Sequence, residues 1–72
     1  MHPYPHLYTV QSSAQTAGDV TLGSAGLPDL ASAPPPEFDG PGGRWSPEHL
    51  LVAAVADCLV LSFRGVARAN KF

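Results

Sequence analysis

The chain has 72 residues, a formal charge of −2 from six acidic and four basic side chains, and one cysteine. That length allows at most one small domain, which alone buries only a modest share of its surface. The single cysteine excludes an intrachain disulfide, the three histidines and the cysteine form no recognisable metal spacing, and four basic residues leave no cationic footprint for nucleic acid.

Small scaffolds usually gain stability from disulfides, a metal or a partner chain. With the first two missing from the sequence, oligomerisation is the expected stabiliser. One unpaired cysteine suits a reducing compartment, so a cytoplasmic location is expected. The first residues, MHPYPHLY, have no basic region followed by an apolar core and do not read as a secretory signal.

Residues 1–6 contain two prolines and read as an irregular arm. Residues 7–13 (LYTVQSS) contain the β-prone set Leu7, Tyr8, Thr9 and Val10 and predict a first strand. Ala17-Gly18-Asp19 predicts a turn. Residues 19–23 (DVTLG) alternate, with Val20 and Leu22 on one face and Asp19 and Thr21 on the other, and predict the second strand of a hairpin. A short third strand is expected near 28–33. Residues 34–43 hold four prolines and three glycines, a composition for polyproline II segments and tight turns. Two readings stand for it, an ordered loop anchored by Phe38 and a flexible linker.

The helix start is the clearest local signal. Ser46 can accept from free backbone N–H groups as N-cap, and Pro47 follows at the first helical position, where its missing N–H costs nothing. Glu48 in the first turn complements the helix dipole. His49 occupies the place where a capping box would have glutamate. Trp45, just before the cap, is positioned for a hydrophobic staple. The helix is predicted over 47–69, about 35 Å long. Between Leu50 and Leu61 it is apolar on nearly every face and so calls for partners all round. One or two hairpins from the same chain cannot cover it. The run Leu50–Ala67 is long enough to raise a membrane span, but Asp57 and Arg64 lie inside it and each is costly at bilayer depth, so no membrane partner is expected. The fold class is therefore α+β: an N-terminal antiparallel hairpin or small sheet, then a long central helix.

Residues 34–69 resemble the OsmC/Ohr family, the osmotically inducible protein C and organic hydroperoxide resistance proteins. Pro47, Glu48, Leu50, Ala53, Ala54, Ala56 and Cys58 fit the family's Pro-Glu-x-Leu helix start and the Ala-rich stretch leading to a cysteine ten residues after the glutamate. Glu37-Phe38-x-Gly40-Pro41-Gly42 looks like its approach loop. The resemblance implies the first half of an OsmC-like fold, with a second sheet segment and helix normally encoded downstream. It also implies an intertwined homodimer or higher oligomer. Cys58 would be the peroxide-reactive thiol and Glu48 the carboxylate that orients an arginine beside it. Arg44 is the one candidate cation before the helix. Phe38, Trp45 and Leu51 would line an apolar pocket. Small-molecule hydroperoxide and a thiol reductant are the implied partners, with no cofactor and no metal.

Each residue also has a plainer reading. Free cysteine is commonly a small buried hydrophobe, Glu48 is sufficiently explained by the helix dipole, and Arg44 by a solvated loop. The sequence departs from the family in having no arginine before Arg44 and no second cysteine to resolve a sulfenic acid. Asp57 adjoins Cys58, and a carboxylate facing a thiol disfavours the thiolate. These departures keep a second reading open, a non-catalytic binding or assembly module. His2, His6 and His49 read as surface residues.

Overall fold

A computed structural model describes residues 3–71. Strand β1 (Gln11–Ala14) pairs antiparallel with β2 (Val20–Gly23), and β2 with β3 (Leu30–Ser32). Together they form one three-stranded sheet in the order β1-β2-β3. A 3-10 turn (Pro36–Phe38) and a single helix α1 (Pro47–Ala69) follow. The chain is thus α+β, with the helix C-terminal to a small antiparallel sheet.

The first strand starts later than its β-prone residues suggest. Pairing begins at Gln11 opposite Gly23, so in that register the partner of Val10 would be Ser24. The chain turns at that point: Leu27 N–H donates to the Ser24 carbonyl (3.0 Å), and Gly26 takes φ +81°. Residues 7–10 therefore lose their partner strand, whatever their propensity. One tie remains, from Ser24 Oγ to the Thr9 carbonyl (2.7 Å). The hairpin turn 16–18 and the second and third strands fall where the alternation and turn residues put them, with Gly18 at φ +95°.

The proline-rich segment is an ordered loop. Phe38 N–H donates to the Pro35 carbonyl (2.9 Å), Asp39 N–H to Pro36 (3.0 Å) and Gly40 N–H to Pro35 (3.1 Å). Gly40 lies so close to the Pro34 carbonyl that a β-carbon there would collide with backbone. Phe38 is exposed and does not anchor the loop within this chain. The anchor is backbone. Trp45 bridges Ser32 in parallel, and Ala33 N–H donates to the Trp45 carbonyl (3.0 Å), so the strand order is extended by the residue that enters the helix. The buried residues gather at this junction: Ser32, Ala33, Pro35 and Ser46.

Helix α1 begins as its sequence dictates and then leaves the rest of the chain. Ser46 Oγ accepts from His49 N–H (3.1 Å), Pro47 follows, and Glu48 stands in the first turn. At the other end Asn70 N–H donates to the carbonyls of Val66 (3.0 Å) and Ala67 (3.2 Å), its side-chain Nδ2 donates to Val66 (2.9 Å), and Lys71 takes φ +60°. No residue of α1 is buried. The accessible surface is 6468 Å², against about 4,200 Å² for a compact monomer of this mass. The radius of gyration is 16.2 Å, against about 11 Å for a compact chain of this length. Roughly 2,000 Å² of surface that a self-contained domain would bury thus stays open, most visibly along α1.

Candidate functional site

The helix start, the preceding loop and the sheet edge meet around Ser46. Ser46 is wholly buried, held by the backbone pairing of its neighbour Trp45 to β3 and by its own cap bond. Its hydroxyl also lies 2.6 Å from His49 Nδ1. The Trp45 and His49 rings meet edge to face, with centroids 6.3 Å apart. Trp45 therefore leans on the imidazole. His49 is exposed, as expected of a surface residue, but it is tied to the cap. The signal for this was present as a serine at N-cap with histidine three residues on. Of the other histidines, His6 is exposed and stacks on Tyr4, and His2 lies outside the described residues.

Glu48 is exposed and borders two hollows at this junction. One is walled by Val20, Ala33, Pro35, Phe38 and Pro47, the other by Pro35, Glu37, Trp45, His49 and Val52. A third hollow on the same side is bordered by Glu37, Arg44, Trp45 and His49. Carboxylates, an imidazole, a guanidinium and an indole therefore cluster at the N-terminal end of α1.

Arg44 is engaged. Its Nε donates to Asp19 Oδ2 (2.7 Å) and its Nη1 to the Gly43 carbonyl (3.2 Å). Asp19, immediately before β2, is 25 residues away, and sequence reasoning did not link the two. The side chains are 49% and 34% exposed, which places the pair among surface ion pairs worth about 0–1 kcal/mol. This bond fastens the loop to the sheet and points the guanidinium toward β2.

Cys58 lies elsewhere. It is exposed on α1, in an apolar hollow formed by Leu51, Ala54, Val55 and Leu59. Its Sγ stands 4.0 Å from Ser62 Oγ one turn on. The ten residues from Glu48 to Cys58 lie in one unbroken helix, which separates them by about 15 Å in rise and about 80° in rotation. The two are not brought together within one chain. The three pocket residues are also apart: Phe38 and Trp45 border hollows at the helix start, and Leu51 borders the hollow of Cys58. Asp57 and Arg64 are both exposed. Among the described residues no group of three or more His, Cys, Asp or Glu is placed to hold a metal ion.

What this arrangement offers chemically is a thiol in an apolar hollow with no charged side chain in its wall. Glu48 and Arg44 lie at the N-terminal end of α1, and Asp57 and Arg64, though nearer to Cys58 in the chain, are not in the wall of its hollow. Helix α1 is also long and apolar enough to cross a membrane by length and composition, with Asp57 and Arg64 within it. Comparison with protein-family models, with curated proteins and with solved structures finds no match to this chain.

Proposed function

We propose that the chain is an OsmC/Ohr-like half-domain that assembles with a second copy into a cytoplasmic, thiol-dependent peroxidase for organic hydroperoxides. The observation that carries this reading is one uninterrupted helix that holds Glu48 in its first turn and Cys58 ten residues on, with its apolar wall uncovered. An antiparallel approach of two such helices sets the Glu48 end of one beside Cys58 of the other. It also covers surface that the isolated chain leaves open. Phe38, Trp45 and Leu51, apart within one chain, then border one apolar pocket.

In this reading the Cys58 thiolate attacks the outer oxygen of the hydroperoxide. The O–O bond breaks, the thiolate becomes sulfenic acid, and the alkoxide leaves and takes a proton to become an alcohol. Two equivalents of an external thiol return the sulfenic acid to thiol, with water and a disulfide as products. No dissociable cofactor takes part. Thiolate formation in an apolar wall requires a nearby cation. Glu48 would hold one across the interface, and Arg44 of the second copy is the candidate once it leaves Asp19. Competition between Cys58 and free cysteine for t-butyl hydroperoxide, scored by the mass of sulfenate on Cys58, tests the claim. Oxidation faster than free cysteine is expected, and oxidation at the rate of free cysteine would remove the peroxidase reading.

A second reading has its own support. Arg44 is bound to Asp19, and no charged group borders the Cys58 hollow. A non-catalytic assembly module that keeps the fold has no need of either. In that case Cys58 behaves as an ordinary thiol while the chain still self-associates.

A further inference from the structure

We propose that a second copy docks on one defined face of α1, the face carrying Leu51, Val55 and Ser62, while the opposite face, carrying Asp57, Val60 and Arg64, stays outside the contact. The surface follows from the two-chain reading above, whichever chemistry Cys58 performs. A helix turns about 100° per residue. Helix α1 is unbroken from Pro47 to Ala69, so that angle fixes which residues share a side. Glu48 and Cys58 lie about 80° apart around the axis. A partner helix that meets both must lie near the direction midway between them. Leu51, Val55 and Ser62 all fall within about 20° of that direction. The charged residues beyond the first turn, Asp57, Arg64 and Arg68, fall about 120–160° away from it.

The same face has the shape for a mutual fit. Leu51, Ala54, Val55, Cys58 and Leu59 form one open apolar hollow on it. In an antiparallel pair, Glu48 opposite Cys58 of the second copy centres the contact at the level of Ala53. That register also sets Leu51 opposite Val55 in both directions, as a two-fold contact between identical surfaces requires. Leu51 of each copy then fills the hollow of the other.

The area favours a second copy as the occupant. A stable interface takes about 800 Å² from each partner. The chain leaves roughly 2,000 Å² open beyond the surface of a compact monomer, which is enough for one such contact. A lipid surface fits less well. Glu48 stands at one end of this face, and a carboxylate is costly in hydrocarbon. Against a second copy the same carboxylate lies at the rim, beside the partner's thiol.

Val55 and Val60 make the test. They are 57% and 56% exposed in the single chain, so one substitution perturbs the free chain alike at both. By sedimentation, Val55→Asp should weaken association at least about a hundredfold, and Val60→Asp by less than about threefold, with equal helicity. Cross-linking reads the same face without a buried charge. In a Cys58→Ser background, Leu51→Cys chains mixed with Val55→Cys chains should form an interchain disulfide on oxidation, and Leu51→Cys with Val60→Cys should not. Equal weakening by the two aspartates in an associating wild type, no weakening by either, or linkage through Val60→Cys alone would overturn this face and leave the two-chain reading standing. A monomeric wild type, free or taken up by phosphatidylcholine vesicles, would overturn both.

Discussion

The two ends of residues 30–69 are built on opposite terms. At the junction of β3, the loop and the first turn of α1, no buried side-chain polar atom among the described residues lacks a partner. Ser46 is wholly buried, Ala33 donates to Trp45, and the loop closes on the Pro35 and Pro36 carbonyls. Two turns further on, Leu51, Val55, Leu59 and Val60 are each more than half exposed. Both regions come from the same run of sequence, and the difference lies in what each needs. The junction is stabilised by hydrogen bonds between near neighbours and a three-residue approach of strand to loop. The helix wall is stabilised only by burial, and no layer of this chain reaches it. The junction is thus complete within one chain, whereas the wall of the helix is left uncovered.

The largest expected effect lies on the helix wall. Val55→Asp places a charge where the proposed assembly buries an apolar face, and burying an unpaired charge costs several kcal/mol. Sedimentation should show association weakened by at least a hundredfold, with helicity of the free chain little changed. A monomeric wild type at micromolar concentration, compact and melting cooperatively, would contradict the assembly itself. Gly40→Ala comes next. The added β-carbon meets the Pro34 carbonyl, so the loop must shift, at a cost of about 1–3 kcal/mol in chemical denaturation.

Ser46→Ala removes the cap and should cost about 1 kcal/mol. Its effect should appear at the helix start and leave the thiol chemistry of Cys58 nearly unchanged. Asp19→Asn breaks the surface pair with Arg44 and should cost less than about 1 kcal/mol, with the difference shrinking in high salt. If the peroxidase reading holds, the same change also frees Arg44 and should speed rather than slow oxidation of Cys58.

Local chemistry was legible in the sequence wherever a residue acts on its near neighbours. Ser46, Pro47 and Glu48 fix the helix start because capping needs only the next three residues. The alternation of Val20 and Leu22 found β2, and the weak third strand appeared at Leu30–Ser32. The start of β1 was not legible. It depends on where β2 turns away at Ser24, and propensity at Leu7–Val10 carries no information about a partner strand. The ion pair of Arg44 was missed because its partner is 25 residues off. The histidine in the cap was visible in the sequence but was passed over because a capping box is defined by glutamate or glutamine. The candidate site divides in the same way. Glu48 and Cys58 were each placed on the helix correctly, and helix geometry alone says they do not meet within one chain.

A site shared between two chains is tested by mixing two inactive chains. Glu48→Gln chains keep the thiol, and Cys58→Ser chains keep the carboxylate. In a mixed dimer with cross-chain sites, one site has both native groups and the other has neither. Peroxide turnover should be low in each parent and should partly return on mixing and subunit exchange. A mixture as inactive as its parents, with mixed dimers shown to form, would contradict a site shared between chains.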